Sequence, residues 1–291
     1  MNKKIIGISL ALGAGIMWGL EPIVAKLAYA SNDTLSQIII SRSIFAAALT
    51  FIYSILKNRK NNKIFKINRT KFIALFAVST INVLFADMLY YLAVASIPVA
   101  NAVVIAHLQP ILVLLLGYFL LKHEKVNSND YFGVCLMIIA GIFVSTGTFQ
   151  NLIQFHIGTR GDLLVFLAMT GWASTTIIIK KYLAEIDSSI VAFYRFFIAT
   201  LVLLVYLAFN PVGIFSSWYQ VLLGAIVGFG FIMFYEGLKL IKAVQASALE
   251  LSAPFFGIGL SFLILRETIT WFQGLGILSL FIGVYFLSRK E

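Results

Sequence analysis

A single cysteine, Cys135, stands in 291 residues, inside an apolar run. Neither an intrachain disulfide framework nor a cysteine cluster for metal can form, and the count says nothing about the redox compartment. Charge is scarce as well: 12% of residues are charged and 60% are hydrophobic, with a mean hydropathy of +0.96, against roughly 25% charged in soluble domains. The chain has no HExxH, no GxSxG and no cysteine–histidine nucleophile arrangement, which removes the usual signatures of an intramembrane hydrolase. It also has no polar stretch large enough for a soluble domain, since the longest polar link within a half runs from about Lys57 to Lys71. The net charge of +10 does not indicate a nucleic-acid partner, because the basic residues sit in turns between apolar runs and form no continuous basic face.

What is there is a series of apolar stretches, each long enough to cross a hydrocarbon core as a helix. They run roughly 5–29, 35–56, 72–94, 98–121, 131–149, 161–183, 188–209, 218–240, 244–265 and 271–287. Polar or Pro/Gly turns separate them, among them Ser31-Asn32-Asp33-Thr34, Ile97-Pro98, Asp187-Ser188-Ser189 and Asn210-Pro211. The fold class is therefore an all-α polytopic membrane protein of ten transmembrane helices. Ala28-Tyr29-Ala30 resembles a signal-peptidase site, but Glu21 and Lys26 interrupt the apolar region before it, so the first span is expected to stay.

Lys3, Lys4, the seven basic residues from Lys57 to Lys71 (Lys57, Arg59, Lys60, Lys63, Lys66, Arg69 and Lys71), Lys122, Lys125, Lys180, Lys181, Lys239, Lys242, Arg289 and Lys290 fall on one side of this arrangement. Only Lys26, Arg160 and Arg266 fall on the other. The positive-inside rule then puts both termini in the cytoplasm, with the protein in the cell membrane.

The chain is also built twice. Tyr91 to Pro110 (YLAVASIPVANAVVIAHLQP) is matched by Tyr235 to Pro254 (YEGLKLIKAVQASALELSAP), and Trp18 to Lys26 by Trp172 to Lys180 with the same spacing. Arg42 is matched by Arg195, and Leu121-Lys122-His123-Glu124 by Leu265-Arg266-Glu267. An odd number of helices in each half inverts the second relative to the first, the architecture of a secondary transporter with its site near mid-membrane.

On these residues the sequence resembles the drug/metabolite transporter superfamily, specifically its ten-helix EamA-type exporters, over essentially its whole length. The resemblance implies two repeats, 1–146 and 161–288, and transport of small molecules, most often export of amino acids, related metabolites or toxic compounds. It implies a structural role for the paired arginines. One departure stands out: the family often has an acid directly before the proline of the fourth or ninth helix, where this chain has Gln109 and Ala253.

An ionisable group at mid-membrane is costly unless paired or wetted. Glu21, Arg42, Asp87 and His107 fall in the outer half, and Lys180, Arg195, Glu236 and Glu250 in the inner half. Two clusters are expected, one with Arg42 neutralising Asp87 or Glu21, the other with Arg195 or Lys180 neutralising Glu236. Glu250 lies four residues before Pro254, which cannot donate to its carbonyl, so a free carbonyl stands beside a carboxylate. The equivalent opening in the first half is at Ala106, next to His107 and Gln109 before Pro110.

Both prolines also read as packing kinks. His107 reads either as a hydrogen-bonded core histidine or as a proton carrier. Asp87, Tyr90, Tyr91 and Val94 share one helix face. Trp18 and Trp172 stand near the middles of their helices, away from the interfaces where tryptophans anchor.

The expected cavity residues are thus Trp18, Glu21, Asp87, Tyr91, His107, Gln109, Trp172, Tyr235, Glu236 and Glu250. Glu250 and His107 are the coupling candidates, with the proton as coupling ion, and Arg42, Arg195, Pro110 and Pro254 are structural. No cofactor or metal is expected, and the partners are a small-molecule substrate and the bilayer, with the protein either monomeric or a homodimer. Toxic-cation efflux is the alternative function, and an intramembrane enzyme or a membrane scaffold a remote one.

Overall fold

The computed structural model describes residues 3–58, 66–120, 128–156, 158–241, 249 and 252–288. Among the described residues the bundle has ten main helices: α1 (Lys3–Ala30), α2 (Leu35–Lys57), α3 (Arg69–Val94), α4 (Val99–Leu120), α5 (Ser128–Thr146), α6 (Arg160–Leu183), α7 (Ser188–Phe209), α8 (Trp218–Leu240), α9 (Ser252–Leu265) and α10 (Trp271–Ser288). Among the described residues seven are long and apolar enough to span a membrane, and α5, α9 and α10 are shorter apolar helices. The expected start of the ninth span near 244 lies largely outside the described residues. Phe119, Phe209, Phe255 and Leu263 are exposed on the outside of the bundle, the surface a hydrocarbon solvent calls for. This is a multi-pass membrane protein.

The helix starts are written into the polar turns. Thr34 caps α2 in a reciprocal box with Gln37, and Thr159 caps α6 in a box with Asp162, so in each case two otherwise orphaned N–H groups are satisfied. Asp187 caps α7 by accepting from the Ser189 N–H.

Among the described residues four irregularities interrupt the helices. The middle of α3 widens into a π-helical turn over Thr80–Asp87, and α6 does the same over Ile179–Leu183. α4 breaks at His107 and Leu108, directly before Gln109-Pro110, because Pro110 has no N–H to offer the Ala106 carbonyl. α1 carries Pro22 in its interior, a feature the sequence reading passed over, which deprives the Trp18 carbonyl of its helical donor.

The packing follows the duplication. α1 lies against α8 and α9, while its counterpart α6 lies against α3 and α4. α2 packs on its own counterpart α7, and α5 on α10. Exchange of partners for some helices and self-pairing for others is what a pseudo-two-fold axis in the membrane plane imposes on inverted repeats. The α1–α9 crossing is close enough to require glycine: a Cβ on Gly19 would stand 2.8 Å from the Ala253 carbonyl and 2.8 Å from the Gly257 nitrogen.

At the end bearing the termini, the Lys57 ammonium at the close of α2 lies 2.8 Å from both Asp187 carboxylate oxygens and 3.1 Å from Glu236 at the close of α8. Lys71 reaches Glu185 across the same face at 2.8 Å. Partial burial raises the Asp187 carboxyl, but the Lys57 ammonium and the Ser189 hydroxyl and N–H outweigh it and hold the group well below the usual carboxylate range.

A depressed folded-state value contributes stability above the unfolded value of about 3.9 and loses it as pH falls through the folded one. Asp187→Ala should therefore cost about 1–2 kcal/mol at neutral pH, through a lost cap and a half-exposed ion pair. The gap between variant and wild type in thermal unfolding in detergent should narrow as the pH is taken below about 4. A gap unchanged in acid would assign the effect to packing.

Candidate functional site

Between the repeats, the π turn of α3 delivers Asp87 to the centre of the bundle. Arg42 from α2 donates through Nη1 to Asp87 Oδ2 at 2.9 Å and through Nη2 to Glu21 Oε1 at 3.3 Å. Tyr91 from α3 donates its hydroxyl to the same Glu21 oxygen at 2.8 Å. Trp172 from α6 donates its indole N–H to Asp87 Oδ1 at 2.8 Å. Arg195 from α7 brings Nη2 to 3.7 Å from that oxygen. Arg42, Asp87 and Tyr91 are almost fully buried.

Isolated charges would be untenable here, and two carboxylates facing two guanidinium groups balance them to zero. Each ring of the cluster has a further hold: Arg42 lies 5.1 Å from the Tyr91 centroid, and Arg195 4.3 Å from that of Phe231.

This is one cluster rather than the expected two. Arg42 contacts both Glu21 and Asp87, while Arg195 turns to Asp87 of the first repeat and not to Glu236. Glu236 lies instead at the end bearing the termini, paired with Lys57. The reason is geometric. Glu236 is near the last turn of α8, whereas Arg195 sits two turns inside α7, and its long side chain extends toward the middle, where the π turn has carried Asp87.

The remaining expected residues divide. Trp18 stands edge-on to Phe231 with centroids 5.9 Å apart and against Phe234 at 5.2 Å, and Tyr235 continues this aromatic wall. Trp172 meets Tyr90 at 5.3 Å. Gln109 donates to the Thr176 hydroxyl at 3.2 Å, tying the break in α4 to α6. His107 turns Nδ1 onto the Val103 carbonyl of its own helix at 2.7 Å, so it sits at the break but apart from the ion cluster. Pro254 is buried where α9 crosses α1. Glu250 lies outside the described residues.

Phe231, Phe234 and Lys57 were missed. Phe231 could have been found from the register of the duplication, which sets it opposite Asp87. Lys57 could have been found from its place at a helix end facing Asp187.

The opposite end of the bundle is tied across the repeats. Lys26 pairs with Glu267, whose other oxygen accepts the Val99 N–H at 2.7 Å. Ser216 and Ser217 donate to Asp33. Asn101 donates to Asp162 and accepts from Gln273, both at 3.0 Å. Near this end α1 also packs on α3 and α4.

An inverted-repeat helical membrane protein with broken helices and a neutral ion cluster at the repeat interface defines a class, the secondary transporters of small solutes. Both halves match the model of the EamA-like transporter family, over residues 5–146 and 159–289, and the chain belongs to that family. It is 24% identical over 247 residues to an uncharacterized transporter of Methanothermobacter thermautotrophicus, covering 79% of this chain and 68% of that one. It is 26% identical to Protein LicB of Haemophilus influenzae over 62% of this chain and 63% of that one. It is 31% identical to the S-adenosylmethionine uptake transporter of Rickettsia conorii, over 38% and 41%. A crystal structure of a protein with 16% identity shares the fold, with a TM-score of 0.64 over 97% of this chain and 96% of the other.

Because Arg42 neutralises both carboxylates, Arg42→Gln should destabilise the folded protein by about 3–5 kcal/mol by leaving them buried and uncompensated. The double variant Arg42→Gln/Asp87→Asn should recover part of that loss. A double-mutant cycle by thermal unfolding measures the coupling, and simple additivity would contradict it.

Proposed function

We propose that this transporter carries amino acids or related zwitterionic metabolites across the cell membrane by alternating access, with export as the net direction under cellular gradients. The observation that supports this reading is the balance of the central cluster. Glu21 and Asp87 face Arg42 and Arg195 with no net charge, so a zwitterion can exchange contacts with carboxylates and guanidinium groups and leave the site neutral. A lone anion or cation would unbalance it.

The name of the Rickettsia relatives agrees with an amino-acid head group, although what they are named for is uptake. Direction in such a carrier follows the gradients, so the assay must read both. The two repeats, 1–146 and 161–288, are the bodies that move against each other, with both termini cytoplasmic. The protein acts by transport rather than by catalysis.

Lipophilic cation efflux is the second reading. It is favoured by the aromatic wall of Trp18, Phe231, Phe234 and Tyr235 beside Glu21.

For coupling, His107 and Glu250 are the groups that exchange a proton between the two facing states. Counterflow of labelled amino acids in proteoliposomes, competed with unlabelled amino acids and lipophilic cations, separates the two substrate readings; displacement by cations alone would sink the first. Replacing His107 and Glu250 together by glutamine should leave counterflow intact and abolish the response to an imposed pH gradient. Flux that still follows the pH gradient in the double variant would eliminate these residues as the coupling groups.

A further inference from the structure

The duplication can be laid onto the cluster residue by residue. Glu21 follows Trp18 by three positions, and Thr175 follows Trp172 by three. Asp87 precedes Tyr91 by four, and Phe231 precedes Tyr235 by four. Arg42 and Arg195 correspond, as do Trp18 and Trp172.

The contacts obey the same correspondence. Arg42 meets Asp87 in the first repeat where Arg195 meets the Phe231 ring in the second. Trp172 meets Asp87 where Trp18 meets Phe231. Both acids of the first repeat are therefore replaced in the second, one by a short hydroxyl and one by a benzyl ring, while the arginine, the tryptophan and the tyrosine are kept.

Arg195 is left without a carboxylate of its own. It reaches only the edge of Asp87, at 3.7 Å, on an oxygen already taken by Trp172. Its Nε, like that of Arg42, is buried and has no hydrogen-bond partner, so what sets Arg195 apart is the weaker reach of its Nη2 to a carboxylate. A guanidinium in this environment calls for an anionic partner. Resting on the zwitterion reading above, we infer that Arg195 is the receptor for the substrate's carboxylate, which takes in the second repeat the place that Glu21 holds in the first. There it accepts from Arg195 as Glu21 accepts from Arg42, and from Tyr235 as Glu21 accepts from Tyr91. Tyr235 packs on the Phe231 ring, over which Arg195 lies. Thr175 supplies no carboxylate to compete.

Arg195 is then a specificity-determining residue, and two variants test it from opposite directions. Arg195→Gln removes the receptor. Phe231→Asp keeps the arginine but gives it the internal partner that Arg42 has, and its folding is checked by thermal unfolding in detergent. Proteoliposome counterflow is read with labelled amino acids and, in parallel, with their decarboxylated amines. Both variants should raise the KM for amino acids by roughly 10- to 100-fold, the size of a lost charge-assisted bidentate contact, and should leave the KM for the amines at or below that of wild type, because each makes the site more negative by one charge.

A folded Phe231→Asp protein with unchanged amino-acid KM would overturn the assignment, as would equal losses for amino acids and amines in both variants. Wild-type protein that moves the amines and not the amino acids would instead overturn the zwitterion reading itself.

Discussion

One carboxylate, Asp87, is shared by both halves of the molecule. It takes a hydrogen bond from Arg42 of its own repeat and another from Trp172 of the other, and it faces Arg195 of the other at longer range. A buried charge can persist only with such partners, so the registers of α2, α3, α6 and α7 are fixed relative to one another at this point. A one-turn slip of any of them would strand an ion in an apolar core. The cluster is in this sense the joint of the bundle, and it lies where a pseudo-two-fold axis would place a joint between inverted repeats. Its neutrality also limits what it can accept without a compensating charge.

The fold was legible because hydrophobic length and repetition are properties of the sequence itself. The turn residues Thr34 and Asp187 announced helix starts, and the spacing from Trp18 to Lys26 repeated at Trp172 to Lys180. The site was legible only in part. Counting along helices assigns each residue a depth, and depth alone put Arg195 with Glu236. It could not foresee that a π turn would carry Asp87 inward, or that an arginine two turns from the end of α7 would extend toward the centre while Glu236 found Lys57. Side-chain reach and backbone irregularity decide such pairings, and neither is written in hydropathy.

Three of the four irregular segments lie around this cluster, and the fourth, the π turn of α6, lies toward the end bearing the termini. Pro22 follows Glu21, the π turn of α3 ends on Asp87, and the break in α4 sets Gln109 onto Thr176. Each leaves backbone carbonyls or N–H groups out of the regular ladder, which a membrane helix tolerates only where protein or water can meet them. Their position at the repeat interface agrees with a centre that is wetted or occupied during the cycle.

Divergence between the repeats matters more than their likeness. A faithful copy would put acids at positions 175 and 231, and every guanidinium would then be satisfied from within its own half. Such a protein would hold its repeats together well and offer nothing to a solute. Replacing those acids by Thr175 and Phe231 gives the interface a polarity: carboxylates gather on the first repeat, and an under-partnered guanidinium faces from the second. A zwitterion matches that polarity in one orientation only, and the inverted geometry lets the same two groups be approached from either side of the membrane. Selectivity and alternating exposure would then both follow from a duplication whose halves have ceased to be equal.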